Sequence, residues 1–175
     1  MEPFDTRRSN RLLLRRPKSD DAEAIAEYWS DPEVHRFLQH PPSDDIAETQ
    51  TFLEHCTSVW DSGEAFPWVI VEGSSSRAVG MIEARPSPHG VDLGYVLTRS
   101  VWGRGYMTEA VAAVVEWALG QPEVHRVWAY VQVGNVGSQR VLEKVGMKRE
   151  GVLHRWAPHH QGTPTDAFMY AIWRD

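Results

Sequence analysis

The segment between residues 91 and 131 constrains the fold more than any other part of the chain. A strand pattern at Val91–Leu97 is followed by a glycine-containing turn, a helical pattern and a second strand pattern at Val124–Val131. The helix has one apolar face with the spacing of an amphipathic helix, formed by Met107, Ala110, Val111, Val114 and Ala118. A strand–helix–strand connection of this kind joins two parallel strands of one sheet by a right-handed crossover.

The flanking segments predict antiparallel strands around that crossover. Strand patterns separated by short polar turns are typical of a meander, and they cover Phe66–Glu72, Ala78–Arg85 and Val91–Leu97. Further strands are predicted at Arg11–Arg16, Lys148–Leu153 and Ala167–Trp173, and further helices begin at Ser19, Ser43 and Asn135. The prediction is an α/β (α+β) fold with a mixed, mostly antiparallel central sheet of about six to seven strands and about four helices. We expect one domain over residues 1–175.

Composition argues against several classes of protein. The single Cys56 cannot form an internal disulfide, which fits a reducing compartment. No run approaches the ~18 apolar residues of a membrane helix, and the first residues lack the apolar stretch of a signal peptide. The net charge of −6 disfavours nucleic acid or an anionic membrane as partner and favours a cation such as an amine. We therefore expect a cytoplasmic protein.

The turn before the central helix is a candidate phosphate site. Gly103 and Gly105 let the backbone approach an anion closely, and the helix N-terminus supplies free N–H groups and a favourable dipole. Arg104 adds a positive charge between the two glycines. A Gly-X-Gly pattern alone is weak, because it lacks the third glycine of the dinucleotide fingerprint and the Lys-Ser/Thr of a P-loop. An ordinary tight turn is the alternative.

Two motifs in the second half resemble the acetyl-CoA-binding core of the GNAT N-acetyltransferases. The first motif joins Leu93-Gly94-Tyr95-Val96-Leu97 to the stretch from Trp102 to Ala110, and the second runs from Asn135 to Met147. The form Trp-Gly-Arg-Gly-Tyr followed by Asn-x-x-Ser-x-x-Val-Leu-Glu-Lys-x-Gly is similar to the RimJ/RimL ribosomal-protein N-terminal acetyltransferase branch. The beginning and end of the chain resemble that branch as well.

The resemblance implies a specific site for the acyl donor. A splayed strand pair would form the acyl-CoA cleft, with Val96 and Leu97 pairing with the pantetheine arm and the strand at Val124–Val131 forming the other wall. The turn before the helix would bind the pyrophosphate, mainly through backbone N–H groups, and comprises Trp102, Gly103, Arg104, Gly105, Tyr106, Met107 and Thr108. The family pattern has Gln or Arg where this chain has Ser100.

The second motif supplies two further candidates. Asn135 has two compatible readings, as the N-cap of its helix and as a residue that binds pantetheine in the family. Many relatives carry a catalytic Tyr, which acts as the general acid, at the position where this chain has Leu142. The resemblance therefore implies that Ser138 takes the role of the acid here. The Ser138 hydroxyl would donate to the leaving thiolate directly or through water. The alternative is a small residue that fits beneath the pantetheine.

The catalytic base stays open between three carboxylates. Attack on a thioester needs a neutral amine, and a free amine is mostly protonated at neutral pH. Asp92 on the strand before the turn, Glu83 on the preceding strand and Glu109 in the first helical turn are the candidates. Glu109 would equally stabilise the helix dipole, and Asp92 would equally face water. A backbone N–H near Val96 or Leu97 is expected to stabilise the oxyanion.

The expected function is transfer of an acetyl group from acetyl-CoA to a primary amine in a ternary complex. The acceptor is open between a protein N-terminus and a small amine, and a homodimer is possible. No metal is expected. The alternatives are another acyl donor such as succinyl-CoA, a non-catalytic acyl-CoA-binding module, and a nucleotide-binding protein that uses the Gly-X-Gly turn.

Overall fold

The computed structural model describes residues 1–73, 75–158 and 162–174. Its centre is one sheet of eight strands, arranged in the order β1-β2-β3-β4-β5-β6-β8-β7. The strands are β1 Thr6–Arg8, β2 Leu12–Arg15, β3 Phe66–Glu72, β4 Ala78–Ser87, β5 Gly90–Leu97, β6 Arg126–Gln132, β7 Lys148–Ala157 and β8 Thr165–Trp173. All neighbouring strands are antiparallel except β5 and β6.

Five α-helices accompany the sheet within the described residues. They are α1 Ala22–Trp29, α2 Pro32–His35, α3 Ile46–Ser62, α4 Tyr106–Leu119 and α5 Val136–Lys144. Two short 3₁₀ turns, Ser19–Asp21 and Arg99–Val101, precede α1 and α4. In the described part of the chain, no helix is both long enough and apolar enough to cross a membrane.

The sheet separates two apolar clusters. One contains the buried face of α4 and alternate strand residues such as Ile82 and Leu93. The other contains Ile25 of α1, Leu53 of α3 and Met81 of β4. Because successive side chains in a strand point to opposite faces, Met81 and Ile82 pack into different clusters. From Gly80 onward in β4, and along β5, the period of two therefore assigns the side chains to the α4 face or to the α1/α3 face, whereas a register shift against β3 interrupts the alternation at Val79.

The predicted class and the mostly antiparallel sheet are confirmed, and the element counts were slightly low. The additional strand, β1, has only three residues, and its Arg-rich, largely exposed sequence has no apolar alternation that would reveal it. The additional helix is the four-residue α2. The helix predicted from Ser43 begins at Ile46, because the Asp45 carboxylate caps it by accepting from the Ala47 N–H at 2.8 Å.

The parallel pair β5–β6 diverges soon after it forms. Only Val91 and Asp92 of β5 pair with β6, opposite Val127 and Trp128. The remaining residues of β5, up to Leu97, stay paired with β4 alone. The predicted splayed pair is therefore present, and it opens directly after Asp92.

Gly90 allows β5 to start beside β6. Its φ is +108°, and a Cβ there would lie 2.2 Å from the Arg126 carbonyl oxygen.

Gly90→Ala should therefore lower the free energy of unfolding by on the order of 3 kcal/mol, from backbone strain and a backbone clash. Gly63→Ala is the control, since Gly63 has φ +75° but no atom within 4 Å of the Cβ position. It should cost about 1 kcal/mol. Equal losses in urea unfolding would contradict the proposed close approach.

Candidate active site

The predicted phosphate turn has the geometry of an anion site. The chain passes from the 3₁₀ turn into Gly103 and Gly105, which have φ of +75° and +79°, and α4 then begins at Tyr106. Gly105 is the N-cap and has no side chain that could accept from the first-turn N–H groups. These N–H groups have no acceptor inside the helix. The turn is exposed, and at Gly103 the Cβ position has no atom within 4 Å. The turn therefore fits a pyrophosphate.

The N-terminal hairpin braces this turn through Arg11 and Glu109. Glu109 Oε1 accepts from the Ser9 hydroxyl and from the Arg11 backbone N–H, each at 2.7 Å. Glu109 Oε2 accepts from Arg11 Nε at 2.8 Å, and Arg11 Nη1 donates to the Arg104 carbonyl oxygen at 2.8 Å. Burial works to raise the pKa of Glu109, but the hydrogen bonds from Ser9 and Arg11 outweigh it and lower the pKa. Both carboxylate oxygens are thus engaged at the base of the turn.

The other residues predicted for the turn divide into exposed and buried groups. The exposed Trp102 indole donates to the Leu97 carbonyl oxygen at 2.7 Å. Arg104 is exposed and approaches Glu72 at 4.0 Å. The Met107 side chain is buried in the core. The Tyr106 side chain is also largely buried, but its hydroxyl donates to Glu72 Oε1 at 2.6 Å and its ring packs beneath the Arg11 guanidinium. Thr108 is half-buried.

Backbone alternation in β5 divides the two residues predicted at the cleft. The Thr98 N–H donates to the Val79 carbonyl oxygen on the β4 side at 2.8 Å. Because N–H groups alternate in direction along a strand, the Val96 N–H also points to β4, whereas those of Leu97 and Tyr95 point into the cleft. The Leu97 carbonyl oxygen agrees, since it accepts from Trp102 on that side. Tyr95, not Val96, shares the cleft edge with Leu97.

The second motif lies at the opposite wall of the cleft. Asn135 is the N-cap of α5, and its Oδ1 accepts from the Ser138 N–H at 3.1 Å. The Ser138 hydroxyl lies 2.6 Å from the Tyr95 hydroxyl. Burial raises the pKa of Tyr95, and the hydrogen bond to Ser138 offsets part of that rise. Tyr95 lies inside the first motif, but no feature of the sequence distinguishes its side chain as part of the site.

The remaining two carboxylates, Glu83 and Asp92, meet at one arginine. Arg85 donates to Asp92 Oδ2 through Nε at 2.9 Å and to Glu83 Oε1 through Nη1 at 2.7 Å. Burial raises the pKa of Asp92 despite the opposing effect of Arg85. Asp92 Oδ1 is buried and accepts no hydrogen bond from the described residues, and Trp128 Nε1, on the strand paired with Asp92, also has no described acceptor. Asp92 therefore holds one free oxygen where the two strands separate.

The hydroxyl pair and the carboxylate pair lie on opposite faces of the sheet. Tyr95 packs against the α4-side cluster, and Val96 packs against the α1/α3-side cluster. Asp92 shares the face of Val96, because the two residues are separated by an even number of positions. One short stretch of β5 thus carries a hydroxyl group on one face and a carboxylate on the other.

Comparison with known proteins agrees with this geometry. A family model for the acetyltransferase (GNAT) domain matches residues 11–148. Over 174 residues, the chain is 25% identical to the uncharacterized N-acetyltransferase p20 of Bacillus licheniformis, covering 97% of this chain and 96% of that protein. It is 26% identical to the [ribosomal protein uS5]-alanine N-acetyltransferase of Escherichia coli, covering 82% and 78%.

A solved structure shows the same fold over nearly the whole chain. The GNAT-family acetyltransferase from Bacillus anthracis is 27% identical, with a TM-score of 0.85, and the match covers 96% of this chain and 98% of that one. The chain belongs to the GNAT acetyltransferase family. It is an N-acyltransferase of the kind that uses acetyl-CoA, and its relatives include a ribosomal-protein acetyltransferase.

The ion pair between Arg11 and Glu109 beneath the turn should stabilise the folded protein. Glu109→Gln should lower the free energy of unfolding at pH 7 by about 1–2 kcal/mol, because it weakens charge-assisted bonds to a largely buried carboxylate. The folded-state pKa lies below the usual 4.5. The stabilisation is therefore complete above that value and is lost as pH falls through the folded-state pKa. Denaturant unfolding from pH 7 to pH 3 measures this. A constant difference between variant and wild type would contradict it.

Substitution of Asn135 separates its two roles. Asn135→Ala should cost about 1 kcal/mol of stability by loss of the cap. Asn135→Ser retains a capping oxygen and should restore most of that stability. If the amide also binds pantetheine, both variants should bind CoA about fivefold to tenfold more weakly in calorimetry, the loss of one hydrogen bond. Wild-type affinity in Asn135→Ser would leave Asn135 with the cap role alone.

Proposed function

We propose that this chain is a single N-acetyltransferase domain over residues 1–175, which transfers acetyl directly from acetyl-CoA to a primary amine in a ternary complex. The placement of Tyr95 and Ser138 on one face of β5 and of Asp92 on the other carries the proposal. This arrangement allows the donor thioester and the acceptor amine to approach the same point from opposite sides of the sheet.

The donor would bind through the turn and the open edge of β5. The N–H groups at the start of α4 and in the turn from Trp102 to Thr108 would hold the pyrophosphate, with Arg104 adding charge. Pantetheine would follow the edge of β5, where Tyr95 and Leu97 present backbone groups, and Asn135 would contact it from the other wall. Acetyl-CoA supplies the activated acyl group.

Asp92 is the proposed base, acting directly or through one water. Its buried, unpartnered Oδ1 and the raised pKa of its carboxyl support this role, because a more basic carboxylate accepts an amine proton more readily. Arg85 holds Oδ2 and connects Asp92 to Glu83, which we place second. The Glu109 oxygens are engaged with Ser9 and Arg11, so the proposal gives Glu109 a bracing role.

Two groups on β5 and α5 would stabilise the charges of the reaction. The amine nitrogen bonds to the carbonyl carbon, the C–S bond breaks, and the amine proton passes to Asp92 or its water. The Tyr95 N–H would donate to the carbonyl oxygen as negative charge develops there. The Ser138 hydroxyl would protonate the departing sulfur, and solvent would return a proton to Ser138.

The acceptor is proposed as the α-amine of a protein or peptide N-terminus. The Escherichia coli relative named for uS5 alanine acetylation supports this, and the net charge of −6 favours a cationic acceptor. A small amine is the second candidate. We propose a cytoplasmic location because both acetyl-CoA and protein N-termini are available there. A homodimer remains part of the proposal.

Thiol release from acetyl-CoA tests the function and both catalytic residues. The panel contains N-terminal peptides that begin with alanine or serine, polyamines, amino acids and aminoglycosides. Asp92→Asn should lower kcat/KM on the order of 100-fold and remove the acid limb of its pH profile, and Ser138→Ala should lower kcat on the order of tenfold to 100-fold. Asp61→Asn is the control, because Asp61 forms a surface ion pair with Arg16 that lies outside the proposed site, and this variant should retain activity.

The same assay distinguishes the alternatives. Release with succinyl-CoA but not with acetyl-CoA would replace the acetyl donor. No thiol release with any amine, together with tight CoA binding in calorimetry, would favour the non-catalytic module. No thiol release and no CoA binding would contradict the proposed donor site.

A further inference from the structure

The hydrogen bond between Tyr95 and Ser138 connects two elements that the sheet itself separates. β5 and β6 stop pairing after Asp92, and α5 follows β6 on the far wall of the cleft. At 2.6 Å between the hydroxyl oxygens, the contact is at the short end for an O–H···O bond. It therefore determines where the Ser138 hydroxyl lies at the mouth of the cleft.

The chemistry of the two hydroxyls sets the direction of the bond. A phenol is more acidic than an alkyl alcohol, so it is the stronger donor and the weaker acceptor. Tyr95 should thus donate to Ser138 Oγ, and the single hydrogen of Ser138 is then directed elsewhere. The raised pKa that burial gives Tyr95 keeps its donor proton in place.

The Ser138 backbone is fixed independently of this contact. Its N–H donates to Asn135 Oδ1 at the start of α5, so the main chain is held by the cap. What the cap leaves free is rotation about χ1, which moves the hydroxyl between the helix backbone and the cleft. The Tyr95 hydroxyl removes that freedom.

We propose that Tyr95 is a positioning residue for Ser138, whose hydroxyl it holds so that the serine hydrogen points to the leaving sulfur. Tyr95 then exchanges no proton in the reaction and acts through Ser138 alone. This inference rests on the proposed function, because it needs Ser138 to act on the sulfur.

Steady-state kinetics of Tyr95→Phe test the role. The variant removes one oxygen and leaves the ring, so kcat should fall about tenfold while KM for acetyl-CoA changes less than twofold, the split expected for a misplaced donor. The pH dependence that arises from the base should not move. Tyr170→Phe is the matched control, since it also removes a hydroxyl that donates to a side chain, Glu143, on α5. It should retain wild-type kcat.

The double variant distinguishes positioning from a general structural effect. In a Ser138→Ala background, Tyr95→Phe should cause no further loss of kcat, because its target hydroxyl is gone. An equal loss in both backgrounds, or full activity of Tyr95→Phe, would overturn the inference while leaving the function intact. If wild type releases no thiol with any amine although it binds CoA, both the proposed function and this inference fail.

Discussion

The parallel pairing of β5 with β6 ends after two residues, and the rest of the site depends on that separation. Had the pairing continued to Leu97, the backbone groups of Tyr95 and Leu97 would be used up by β6, and no open edge would remain for a ligand. The separation leaves these groups available inside a folded sheet, which is otherwise rare because unpaired backbone costs free energy. The antiparallel pairing with β4, which extends from Gly90 to Leu97, holds β5 in place while one edge stays open.

Side-chain contacts join the turn both to the neighbouring edge of β5 and to the N-terminal hairpin, which is distant in sequence. Trp102 occupies the Leu97 carbonyl group at the outer end of the open edge, while Arg11 and Glu109 fasten the turn to the N-terminal hairpin. An exposed glycine turn has little internal resistance to rearrangement, since glycine loses the most conformational freedom on folding. The bracing contacts therefore supply the order that the turn residues themselves lack.

Those features that are encoded locally were predictable from the sequence. The glycine turn, the amphipathic helix α4 and the Asn135 cap each depend on residues within a few positions of one another. Contacts between distant segments were not predictable. The sequence places Glu109 in the first turn of its helix, but its hydrogen-bond partner Arg11 lies 98 residues away. The same is true of Tyr95, since its contact with Ser138 depends on how far β5 stands from α5. The short strand β1 could not be predicted, because three largely exposed residues show no apolar alternation.

The alternation of side chains along β5 also determines which sequence changes this strand tolerates during evolution. Asp92 and Tyr95 lie on opposite faces only because an odd number of positions separates them. Insertion or deletion of one residue between them would turn one group to the wrong face and reverse the edge of every backbone group beyond it. Substitutions can accumulate in this stretch, but the number of residues between Asp92 and Tyr95 must stay the same. Given the roles proposed for Asp92 and Tyr95, insertions in relatives that retain the activity should occur in the loops and not between these two residues.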